Sequence, residues 1–126
     1  MKIEHCAVNV QDPLAMATWY VKHLGLKIVK HLPEPNQTHF LSDGVSSMIE
    51  IYKNGAAPIP DYISMDPLVL HLAFASDAPQ DDAQKLIEAG ATPCSEIKLP
   101  DGTELIMLRD PWGLSIQLCK RPAPFV

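Results

Sequence analysis

Residues 3–10 (IEHCAVNV) form a short β-prone run, apolar except at Glu4, His5 and Asn9, and predict a strand. The spacing then turns helical. Leu14, Ala17, Tyr20, Val21 and Leu24 recur three or four residues apart, behind Asp12 as a cap and Pro13 in the first turn, and Gly25 closes the run. Three β-prone runs follow at 26–32, 38–42 and 47–53, with Asp43-Gly44 as a turn between the last two. Residues 54–67 carry three prolines and no period, which predicts a linker or long loop. Beyond it the order returns. A strand is expected at 68–75 and a helix at 79–89, opened by Pro79, with Asp81 and Asp82 in its first turn and Gly90 at its end. Strands near 92–99, 104–109 and 114–120 complete the pattern.

The chain thus reads as strand, helix and three strands, written twice. His5 and His71 occupy the same place in the two opening strands, and Leu24-Gly25 and Ala89-Gly90 end the two helices. "FLSDGVSSMIEIY" aligns with "MLRDPWGLSIQLC", pairing Asp43 with Asp110 and Glu50 with Gln117. Such self-similarity implies two half-domains related by a pseudo-twofold. The expected fold class is α+β, with two βαβββ modules. Residues 1–126 form one domain, made of module 1–53, linker 54–67, module 68–120 and a short tail, 121–126.

Composition narrows the partners. At 126 residues the chain can bury one core without staples, and 47% hydrophobic with 20% charged residues is ordinary for a globular protein. A net charge of −5 argues against nucleic acid or an anionic membrane as partner, since both select basic surfaces. No apolar run approaches the roughly 20 residues of a membrane span. Three scattered cysteines, Cys6, Cys94 and Cys119, make neither a zinc knuckle nor a disulfide framework. The opening MKIEHCAVNV has a charge inside its apolar stretch and no cleavage-like segment. A cytoplasmic protein is the expectation.

"SMIEIYK" (47–53) raises the chemical question, because a carboxylate stands among strand residues. Burying an ionised carboxylate costs several kcal/mol unless a positive partner receives it. Side chains alternate along a strand. Ile3, His5, Ala7 and Asn9 therefore share a face, as do Met48, Glu50 and Tyr52; Val69, His71, Ala73 and Ala75; and Ser115, Gln117 and Cys119. Each opposite face is greasy and suited to a helix. Two imidazoles, one carboxylate and one amide oxygen at equivalent places of a duplicated unit predict a divalent metal site at His5, Glu50, His71 and Gln117. Each position taken singly also suits an ordinary solvated or hydrogen-bonded side chain.

The opening "IEHCAVNVQD", the helix exit "WYVKHLGLKIV" and the ending "LRDPWGLSIQL" resemble the vicinal oxygen chelate superfamily. It includes glyoxalase I, bleomycin resistance proteins, extradiol dioxygenases, fosfomycin-modifying enzymes and methylmalonyl-CoA epimerase. The resemblance spans residues 1 to about 120. It implies two βαβββ modules in a cup-shaped mixed sheet, a central divalent ion (zinc or nickel first, with iron, cobalt or manganese as alternatives) and the same four ligands. It also implies a twofold homodimer, with pairing of modules within or between chains left open. Glyoxalase I is the nearest member by ligand pattern, and its chemistry passes from a hemithioacetal through an enediolate. The family ending usually supplies glutamate where this chain has Gln117, and an amide cannot accept a proton near neutral pH. Glu50 would then be both ligand and catalytic base. Asn9 stands where bacterial glyoxalases carry an arginine for the glutathione carboxylate, and Asn54 matches an asparagine after the fourth-strand glutamate.

The expected function is a metal-dependent lyase or isomerase of glyoxalase type, acting on a small carbonyl or hemithioacetal substrate. The alternatives are a dioxygenase holding Fe(II) through His5, His71 and Glu50, and a small-molecule binder of the bleomycin-resistance kind. Asn9, Asn54 and Trp112 are the candidate substrate contacts. Trp19 and Tyr20 are expected in packing, and His23, His31 and His39 at the solvated surface.

Overall fold

The computed structural model describes residues 2–45 and 47–125. Ten elements run in chain order: β1 His5–Asn9, α1 Pro13–Leu24, β2 Lys27–His31, β3 His39–Ser42, β4 Met48–Tyr52, β5 Leu72–Ala75, α2 Pro79–Glu88, β6 Thr92–Lys98, β7 Glu104–Arg109 and β8 Ser115–Lys120. They fall into two compact units, Met1–Pro60 and Asp61–Val126. Each unit holds one helix and one four-stranded mixed sheet, in the orders β1-β4-β3-β2 and β5-β8-β7-β6. β1 runs parallel to β4 and β5 parallel to β8, while the remaining neighbours are antiparallel.

In the first unit, Asp12 caps α1 by accepting a hydrogen bond from the Ala15 N–H at 3.0 Å, Pro13 takes the first turn, and Gly25 ends the helix in the left-handed conformation. The apolar stripe differs from the expected one. Met16, Ala17, Trp19 and Tyr20 are buried, whereas Leu14 is 58% exposed. Pro13, Met16, Ala17 and Tyr20 keep the three-and-four spacing, and Leu14 lies one position off it. These side chains pack on β3 and β4, where Leu41 and Ile51 are fully buried. Each large apolar side chain so buried contributes roughly 1.5–3 kcal/mol.

In the second unit, α2 lies on β7 and β8, burying Ala83 and Leu86 against Leu108, Ile116 and Leu118. Its N-cap, Ala78, supplies no side-chain bond. Ser76 substitutes in part: its hydroxyl accepts from the Ala78 N–H at 3.2 Å and donates to Asp82 at 2.7 Å. That bond from Ser76, with Lys85 alongside, holds the Asp82 carboxyl below its ordinary pKa.

The repeat is visible in the hydrogen bonds. Asp43 Oδ1 accepts from the N–H groups of Val45 (2.8 Å) and Ser47 (3.2 Å), and Asp110 Oδ1 accepts from those of Trp112 and Leu114, both at 2.9 Å. The same Asx turn therefore joins the last two strands of each unit. The proline-rich stretch is tied down from both sides. Asn9 holds its beginning through Asn54 and Ala57, and Arg109 grips residues 62–65.

Candidate functional site

Strand register sets the geometry. Glu50 lies opposite Ala7, two residues after His5, and Gln117 lies opposite Ala73, two residues after His71. The two halves thus repeat the same offset. Glu50 pairs with Phe40 on its other side, and Gln117 with Met107. The Phe40 ring meets the His5 ring edge-on at 5.6 Å between centroids.

Within the first unit, two of the four expected ligands come together. His5 Nε2 stands 3.2 Å from Glu50 Oε2, with Glu50 about one-fifth exposed. The opposite ring nitrogen, Nδ1, contacts the Glu4 carboxylate. A carboxylate only accepts, so Nδ1 carries a proton. Nε2 then faces a second acceptor, which is favourable only if Nε2 is protonated or the two atoms share a cation. The hydrogen bond to Glu4 raises the His5 pKa, partial desolvation opposes it, and the charges of Glu4 and Glu50 add to the rise. Ligands of a zinc-sized ion, at bonds of about 2.0–2.2 Å, stand roughly 3.0–3.5 Å apart, so the His5–Glu50 pair fits such an ion.

The second unit places His71 differently from expectation, while Gln117 lies within β8 as expected. β5 begins at Leu72 rather than near residue 68, and His71 sits on its approach. Asp66 explains this: its side chain accepts from the Leu68 N–H at 2.8 Å and its carbonyl from the Val69 N–H at 2.9 Å, turning the chain. Leu68 and Val69, expected inside the strand, are largely exposed. His71 Nδ1 donates to the Pro67 carbonyl at 2.8 Å, which leaves Nε2 as the lone-pair nitrogen suited to a metal. Gln117 Oε1 accepts from the Cys119 thiol at 3.2 Å. Burial pushes the Cys119 pKa up, consistent with a protonated donor. Among the described residues, no group of three or more His, Cys, Asp or Glu gathers so as to hold a metal ion.

The expected substrate contacts have partners within the chain. Asn9 is buried, its amide donating to the carbonyls of Asn54 (3.1 Å) and Ala57 (3.2 Å) and its oxygen accepting from the Asn54 N–H (2.8 Å). The Asn54 side chain accepts from the Ala56 N–H at 2.9 Å. Trp112, half-buried, is fixed through its N–H to Asp110.

Three features went unread in the sequence. The Arg109 guanidinium donates to the carbonyls of Tyr62 (2.7 Å), Gly113 (3.0 Å) and Met65 (2.8 Å). A cavity of about 370 Å³ opens beside Cys119, walled by Ala73, Ala75 and Arg121 and by Phe125, whose ring lies under the guanidinium at 4.1 Å. His39, expected at the surface, is buried, and only His31 of that pair is exposed. Arg109 stands directly before the Asp110 turn, which was the available signal for the first; the tail carries no period that could have shown the second.

A family model described as Glyoxalase/Bleomycin resistance protein/Dioxygenase superfamily matches residues 2–118. Among solved structures, a member of that superfamily from Sphaerobacter thermophilus DSM 20745 superposes with a TM-score of 0.75 at 16% identity, covering 96% of this chain and 98% of that one. The glyoxalase family protein from Enterococcus faecalis gives 0.71 at 27% identity, covering 94% and 96%. TnmS3, an antibiotic binding protein from Streptomyces sp. CB03234, gives 0.73 at 18% identity, covering 96% of each chain. No curated protein matches the sequence. No helix among the described residues is long and apolar enough to cross a membrane.

Proposed function

The chain belongs to the glyoxalase/bleomycin resistance protein/dioxygenase superfamily, and from that premise we propose a metal-dependent lyase or isomerase of glyoxalase type. Its substrate is a small carbonyl compound or hemithioacetal that reacts through an enediolate. The observation that carries this reading is the His5–Glu50 contact at 3.2 Å, with Glu4 holding the far side of the imidazole. That arrangement calls for positive charge between the two strands.

His5, Glu50, His71 and Gln117 would hold the ion, zinc or nickel by preference, since imidazole and oxygen donors suit both. When bound, the ion supplies the positive charge that stabilises a developing oxyanion. Glu50 removes the carbon-bound proton and returns it to the neighbouring carbon, a task closed to the amide of Gln117. The cavity lined by Ala73, Ala75 and Phe125 offers apolar room for the rest of the substrate. We take the working form to be a cytoplasmic homodimer with a small molecule as its partner.

A second reading is ligand binding without turnover. It rests on Gln117, which stands where a second carboxylate would serve as base, and TnmS3 shows the fold in a protein described as antibiotic binding. One experiment separates the two. The protein is loaded in turn with zinc, nickel, cobalt and iron, and methylglyoxal is offered with several thiols. Turnover that falls at least 100-fold in Glu50→Gln but persists in Gln117→Glu supports the isomerase. Equal turnover in wild type and Glu50→Gln overturns it, and metal uptake without turnover favours the binder.

A further inference from the structure

We propose a second metal site, formed by His31 on β2 and His39 on β3, that takes a borderline divalent cation such as copper, nickel or zinc. The two residues are direct partners across an antiparallel pair. Their rings stack with centroids 4.5 Å apart and planes 27° from parallel. His39 Nδ1 donates to the Gln37 carbonyl at 2.7 Å, which fixes the tautomer and leaves Nε2 with its lone pair. His31 is exposed and opens the pair to solvent.

Two imidazoles binding one ion at about 2.0–2.1 Å hold their nitrogens roughly 3.0–3.4 Å apart. The rings now stack, so a shared ion requires the exposed His31 ring to turn out of the stack until one of its nitrogens converges with His39 Nε2. Imidazole suits copper, nickel and zinc above harder ions, and water would complete the shell.

The pair is separate from the His5–Glu50 contact. Successive residues of a strand point to opposite faces, so His39 lies on the opposite face from Phe40, the register partner of Glu50. An ion here would tie β2 to β3. β2 is the sheet's edge, paired with β3 alone and exposed along its length. Occupancy therefore stabilises the hairpin by mass action.

The test uses untagged full-length protein in a Glu50→Ala/His71→Ala background, so that failure of the proposed function cannot be mistaken for failure of this site. Copper(II) is titrated and followed by electron paramagnetic resonance. The expected result is one bound equivalent with hyperfine structure from two imidazole nitrogens. His31→Gln, at an exposed position, should weaken binding at least tenfold and remove one nitrogen coupling. His39→Gln should do the same. Copper uptake unchanged by His31→Gln, or no uptake in the background protein, overturns the proposal.

Discussion

At the scale of single residues, two positions carry constraints that composition does not reveal. Gly113 has a φ of +91°, and a Cβ there would stand 2.8 Å from the Ile63 backbone nitrogen and 2.9 Å from its Cα. Both the left-handed backbone and the close approach select glycine. Gly113→Ala should cost more than about 1 kcal/mol by urea denaturation; an unchanged midpoint would contradict the packing of this turn on residue 63. His39 makes a pH prediction. Burial holds its folded-state pKa below the ordinary imidazole value, with the bond to Gln37 opposing and the charge of His31 reinforcing the shift. Its favourable contribution is present above about pH 6.5 and is lost as pH falls through the folded value. Wild-type Tm should therefore drop from pH 7.5 to pH 5 by more than that of His39→Gln. The sequence could not show this burial. Alternation says that His39 and Leu41 share a face, but not that the face meets a helix.

Elements were more legible than their faces. Asp12-Pro13 and Gly25 mark α1, and Pro79 with Gly90 brackets α2, because capping chemistry is local and leaves its residues in the sequence. The late start of β5 came from a competing local signal: Asp66-Pro67 turns the chain before a run whose apolar character reads as strand. Leu14 misled for a similar reason, since it extends the spacing by sequence but faces solvent. The helix ends also yield a prediction. Ala78 is an N-cap with non-helical backbone and no side-chain acceptor, so Ala78→Ser should raise stability by about 0.5–1 kcal/mol. Asp12→Ala should lower it by about 1 kcal/mol through loss of the Ala15 bond. Denaturant midpoints for both variants against wild type check the pair; a fall in Ala78→Ser, or no fall in Asp12→Ala, would contradict the capping assignment.

At the scale of the whole molecule, duplication is the property most clearly written in the chain. The Asp43 and Asp110 turns and the equal register offsets of Glu50 and Gln117 are the same structure made twice. Alternation also singled out His5, Glu50, His71 and Gln117, because ligands must share a face and strands have only two, and of these the structure brings His5 and Glu50 into contact. The positions of Asn9 and Arg109 were not legible. Each anchors part of the 54–67 stretch through backbone carbonyls, and carbonyl partners leave no mark in a sequence. Arg109→Met should therefore destabilise the protein by roughly 2–3 kcal/mol, since several charge-assisted bonds to buried or half-buried carbonyls go at once.

The central claim is that His5, Glu50, His71 and Gln117 hold one cation between them. Isothermal titration with zinc on wild type and on the four single alanine variants tests it directly. With His31→Gln in every protein, so that the His31–His39 pair does not contribute, one ion per chain is predicted, and each alanine variant should bind it at least tenfold more weakly. Four variants that take up zinc as wild type does would contradict it.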